Sequence, residues 1–160
     1  MRKYTGVPYY FHLNNVSTIA SECSYSLGKI GLCHDLLEDT NCTENELAVF
    51  LLSIGYDLGE TDFIVSCVVE LTDEFTKDKY PELNRADRKK RERERLSGIS
   101  PSAQTVKYAD IIDNCRDIVE NDPNFSKVYL EECSLLLETM DKGNKDLYKI
   151  ALEMIKTAKL

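Results

Sequence analysis

The chain has 160 residues, 42% of them hydrophobic and 30% charged, a balance that excludes a disordered chain and can build one core without disulfide or zinc staples. Its formal net charge of −8 argues against general nucleic-acid binding, which needs an excess of Lys and Arg, but leaves room for a small anionic ligand in a local basic pocket. No apolar run approaches the roughly 18 residues of a membrane span, and Met1-Arg2-Lys3 leads into polar and aromatic residues; the expectation is a single cytoplasmic domain over residues 1–160 with no membrane or nucleic-acid partner.

Hydrophobic spacing predicts helices in sequence. Tyr10 to Glu22 carries Phe11, Val16, Ile19 and Ala20 on one stripe, and Leu27 to Asp39 has a helical apolar set that ends at Thr40-Asn41. Thr43 with Glu46 forms a capping-box signature for a helix that stops at Gly55. The dense run Phe63 to Leu71 is rich in β-branched residues and has the composition of a strand, yet it has no partner strand; a buried helix is expected. Residues 77 to 95 hold nine of the 20 basic residues, the one basic region of an acidic chain. Ser100-Pro101 reads as an N-cap with proline at the first helical position, opening a helix through Ile118 that carries Asp110, Asn114 and Asp117 on one face. Asp122-Pro123-Asn124 breaks the chain before two closing helices, about Lys127 to Met140 and Lys145 to Lys159. The fold class is therefore all-α. The six cysteines are scattered with no C-x-x-C pair, so each is expected to be reduced and buried.

Only two histidines occur, and one sits in His34-Asp35-Leu36-Leu37-Glu38-Asp39-Thr40. Four ionisable groups in six residues cannot all be buried unpaired. A solvated helix end is the plain reading, but carboxylates at a helix C-terminus oppose the macrodipole unless a cation compensates them. In one continuous helix the four-residue spacing puts His34 with Glu38 and Asp35 with Asp39, so that a divalent metal satisfies both pairs. His12 on an earlier helix and Asp110 on a later one complete a set of two imidazoles and two carboxylates. That mixed shell suits Mn²⁺ best, with Fe²⁺, Ni²⁺, Co²⁺ or Zn²⁺ able to substitute, and leaves room for water and a substrate oxygen.

These blocks resemble the HD hydrolases of the RelA/SpoT type, most closely their small single-domain form, the metazoan SpoT homologue. The resemblance rests on the order and spacing of Arg2-Lys3, Pro8-Tyr9-Tyr10-Phe11-His12, His34 to Thr40, Leu71-Thr72-Asp73, Arg88-Lys89, and Ser100-Pro101 leading to Val106-Lys107-Tyr108-Ala109-Asp110 with Asn114. It implies an HD-domain helical bundle, one Mn²⁺ per chain, and hydrolysis of (p)ppGpp to GDP or GTP and pyrophosphate. It also implies His12, His34, Asp35 and Asp110 as metal ligands and Glu38 and Asp39 as the pair that positions and deprotonates water. On the substrate side it implies Arg2 and Lys3 at the guanine, Asn114 at the ribose, and Lys77, Arg88 and Lys89 at phosphates. Other readings keep the fold: an HD enzyme acting on NADPH or a cyclic-nucleotide signal, or a catalytically silent nucleotide binder. The oligomeric state is not specified by the sequence.

Overall fold

The computed structural model describes residues 6–158, and among them it holds nine α-helices and no strand. Helix α1 (Tyr10–Ser21) buries His12, Val16 and Ala20, four residues apart along one face. Phe11, placed on the apolar stripe by sequence, is exposed instead. The next helix, α2 (Tyr25–Cys33), lies unusually close against α1 because glycines face it. A Cβ added to Gly31 would sit 2.9 Å from the Cα of Ser17, and one on Gly28 would overlap the Ser21 side chain.

The structure corrects the expectation of one helix from Leu27 to Asp39. The chain leaves α2 after Cys33 and restarts as the four-residue α3 (Leu36–Asp39), with Asp35 at φ −97 and ψ 0 between them. That bridge conformation is sparsely populated and turns the chain sharply. In an unbroken helix His34 and Asp35 would project about 100° apart. The break brings their side chains together instead, so the four-residue pairings drawn on a continuous helix do not apply.

Helix α4 (Glu44–Ser53) opens on the predicted capping box, with both reciprocal Thr43 and Glu46 bonds present, and ends before Gly55 at φ 99. The β-branched run lies inside α5 (Leu58–Leu71), capped by Asp57 and buried through Ile64, Cys67, Val68 and Leu71. The basic stretch is helical only from Arg85, as α6 (Arg85–Leu96). Helix α7 (Pro101–Asn121) has the expected Ser100 cap and first-turn proline, and twelve of its 21 residues are buried. It therefore forms the centre, packed against α1, α2 and α5 and against the closing helices α8 (Pro123–Leu137) and α9 (Lys145–Ala158). The break expected at Asp122-Pro123 is itself a cap: Asp122 ends α7 and its carboxylate accepts from the Phe125 N–H of α8.

Cys67, Cys115 and Cys133 are buried, whereas Cys23, Cys33 and Cys42 are only partly so; all six are free thiols. Among the described residues no helix is long and apolar enough to cross a membrane.

Candidate metal centre and active site

Four side chains from three separate stretches converge where α1, the α2–α3 break and α7 meet. His12 Nε2 lies 3.3 Å from Asp110 Oδ1 and 3.5 Å from Asp35 Oδ2. His34 Nε2 lies 3.0 Å from Asp35 Oδ2 and 3.7 Å from Asp110 Oδ1. Both histidines are almost wholly buried, and His34 Nε2 makes no hydrogen bond. A buried ring nitrogen without a hydrogen bond, facing two carboxylate oxygens, is costly unless a cation occupies the convergence point. The ligand atoms of His12, His34 and Asp35 all lie within 4.8 Å of one another, as a shared ion requires.

The opposite ring nitrogens are held. His12 Nδ1 is 2.7 Å from Asp113 Oδ2, and Asn15 Nδ2 donates to the other oxygen of that carboxylate at 2.8 Å. His34 Nδ1 is 2.8 Å from the carbonyl oxygen of Gly31. With Nδ1 donating in each ring, Nε2 is the nitrogen left to bind a metal.

The electrostatics point the same way. Burial disfavours the charged form of His12, yet Asp110, Asp113 and Asp35 push it up to about 11. Burial likewise opposes the charge on His34, and Asp110 and Asp35 push it up to about 9. Burial also opposes the ionisation of Asp35, which the two imidazoles hold well below the usual carboxylate range. Such a cluster takes up positive charge, as protons or as a metal ion. Lys107 supplies part of it, with Nζ 2.8 Å from Asp110 Oδ2.

Beside this cluster opens a cavity of about 260 Å³. Asp35 and Asp110 line it together with Glu38, Lys89, Lys107 and Asn114, and its far wall includes Ile111, Tyr129 and Leu136. Glu38 Oε2 accepts the Asp73 N–H at 3.1 Å, and burial together with the Asp73 charge raises its carboxyl. Asp39 does not line the cavity, and its carboxyl is raised by burial and by the Asp35 charge. The Tyr9 hydroxyl donates to Asp35 Oδ2. Asn114 Nδ2 donates to Asp110 Oδ1 at 2.6 Å, so it braces a carboxylate of the cluster.

The basic stretch divides. Lys89 and Arg93 reach the cavity wall. Arg85 forks onto Glu132 at 2.8 and 2.7 Å and Arg95 pairs with Glu92, which ties both to the fold, and Arg88 donates to the Leu83 carbonyl. Neither Arg88 nor Lys77 lines the cavity, and Arg2 and Lys3 lie outside the described residues. Sequence reasoning assigned no role to Asp113, Lys107 or Asp73. The first two stand three residues after and three before Asp110, one helical turn in each direction, and that spacing is the signal that could have found them.

No protein-family model matches the chain. Over 120 residues it is 33% identical to the guanosine-3′,5′-bis(diphosphate) 3′-pyrophosphohydrolase MESH1 of Drosophila melanogaster, a match that takes in 72% of this chain and 59% of the length of the fly protein. The solved structure of a metazoan orthologue of SpoT that hydrolyses ppGpp superposes with a TM-score of 0.78 at 25% identity, over 98% of this chain and 85% of that one. A Listeria monocytogenes protein shares the fold at a TM-score of 0.70 and 20% identity, over 97% of this chain and 98% of its own. In sequence and in fold alike, the chain is similar to the metazoan SpoT-type hydrolases, and it has an all-helical architecture of the HD type.

Proposed function

We propose that the chain is a Mn²⁺-dependent (p)ppGpp 3′-pyrophosphohydrolase that acts in a stringent-type response. The observation that carries the reading is the convergence of His12, His34, Asp35 and Asp110 beside a cavity that also presents Glu38. The activity of the fly relative names the substrate. Two imidazole nitrogens and two carboxylates fit Mn²⁺. A cytoplasmic setting accords with six free thiols.

A divalent ion bound there supplies charge neutralisation for the phosphoryl oxygens and makes water more acidic. The chain's own residues do the rest. Asp113 and the Gly31 carbonyl hold the imidazoles with Nε2 directed inward. Glu38, its carboxyl raised by burial, takes the proton of the attacking water, and the Asp73 N–H fixes the orientation of that carboxylate. Asp39 is assigned by resemblance as the partner of Glu38 in activating that water. Lys89, Lys107 and Arg93 offer positive charge to the pyrophosphate, by contacts that weaken with salt. Asn114 faces the cavity where the ribose would lie, and Arg2 and Lys3 are assigned to the guanine by resemblance.

Purified protein with added Mn²⁺ is expected to release pyrophosphate from ppGpp. Cleavage of other nucleotides with none of ppGpp would overturn the assignment. Glu38→Ala is expected to keep its Mn²⁺ and lose most turnover, by about 100-fold or more for removal of a general base; unchanged turnover would move the base elsewhere.

A further inference from the structure

Glu92 is the one charged residue of α6 that is buried almost completely, at 2% exposure, and no chemistry described above uses it. Its Oε2 accepts the N–H groups of Glu74 and Phe75 at 3.0 and 2.8 Å. Its Oε1 accepts Arg95 Nε at 2.6 Å. Arg95 in turn donates to the carbonyls of Glu70 at 2.9 Å and Thr72 at 3.0 Å, the carbonyls released at the end of α5. Glu92 and Arg95 therefore grip the backbone on both sides of Asp73, one through its amides and the other through its carbonyls. The amide of Asp73 itself points the other way, onto Glu38 Oε2. The Asp73 side chain holds Lys89 Nζ at 3.1 Å.

A surface ion pair does not need this geometry. Glu92 Oε2 is committed to two backbone amides of one short connection and Oε1 to Arg95, whose two remaining nitrogens take two backbone carbonyls at and just beyond the end of α5. The connection has no regular structure of its own, and its outward link is to a side chain at the cavity.

We infer that Glu92 and Arg95 are positioning residues: by clamping residues 72–75 they fix the Asp73 N–H that orients the Glu38 carboxylate. The catalytic half of this statement rests on the pyrophosphohydrolase reading. Loosening the clamp leaves the metal ligands untouched, because none of them contacts it. It changes the aim of the proton acceptor, so it acts on kcat and not on the metal.

The test is Glu92→Gln, which keeps the size of the side chain but cannot accept at both ends, with Arg95→Lys as the companion that keeps the charge and loses the fork. Steady-state ppGpp hydrolysis with Mn²⁺ is expected to show kcat lowered by about 10-fold with KM unchanged, the size typical of residues that orient a site from behind. In a Glu38→Gln background the same substitution is expected to cost nothing further, since the group it orients is gone. Amide hydrogen exchange at Asp73 is expected to accelerate in both clamp variants at unchanged Mn²⁺ content. An equal loss with and without Glu38, or unaltered exchange at Asp73, would overturn the inference and leave the pair a purely structural tie. If the unsubstituted protein turns over no alarmone at all, the proposed function falls, and the exchange measurement still decides whether the clamp holds Asp73.

Discussion

At the scale of single residues, the site depends on what stands behind each ligand. Asp110 serves both imidazoles and also receives Lys107 and Asn114, so its loss leaves charges on every side without a partner. Asp110→Ala is expected to abolish tight Mn²⁺ binding; metal analysis finding a full equivalent in that variant would remove Asp110 from the ligand set. Asp113 holds the far nitrogen of His12 and is itself braced by Asn15. Its replacement by Ala is expected to weaken Mn²⁺ by about 10- to 100-fold without removing any ligand, the usual effect of losing the group that fixes a ligand's tautomer; calorimetric titration with Mn²⁺ reads this directly. The residues that approach the metal are conspicuous in the sequence because histidine is scarce and the His-Asp pair is compact. Asp113 is one of many acids in an acidic chain, and only its place one turn beyond Asp110 sets it apart.

At the scale of elements, the legible parts are those governed by local chemistry. The capping box of α4 and the proline-led start of α7 each follow from residues within a few positions of one another, whereas the helix α5 is legible only because its β-branched run has no partner strand elsewhere in the chain. What spacing could not reveal is the break between α2 and α3. Nothing in Leu32 to Leu37 is a helix breaker, and the turn exists because the side chains of His34 and Asp35 must meet His12 and Asp110, which are distant in sequence. The basic stretch misleads for the same reason. Arg85 is drawn onto Glu132 of α8, and Arg95 onto its helical neighbour Glu92 and the Glu70 carbonyl of α5, partners that the run of basic residues does not announce. Close contact between α1 and α2 has a measurable cost attached: Gly31→Ala would drive a methyl into the Ser17 backbone, and an overpacked contact of this kind destabilises by about 1–3 kcal/mol. Urea unfolding of that variant checks it, with an unchanged midpoint as the contrary result.

At the scale of the whole molecule, the metal site joins α1, the α2–α3 break and α7, so an ion there binds the folded arrangement and not the separate pieces. Mn²⁺ at a hundred times its dissociation constant is expected to stabilise the fold by about 2.7 kcal/mol. A melting temperature that rises with added Mn²⁺ and falls on chelation, and that responds far less in Asp110→Ala, is the expected pattern. The centrality of α7 has a further consequence for the order in which the site can come into being. During synthesis α1 and α2 emerge together and can pair early across the two glycines of α2, with His12 on α1 and His34 at the end of α2. His12 meets Asp113 only across 101 positions of chain. Until α7 has left the ribosome the histidines have no carboxylate from that side, and the nascent protein can make the imidazole half of the site but not close it. A metal held by the proposed ligands would thus be captured late in the life of the chain, once α7 has closed onto the helical hairpin.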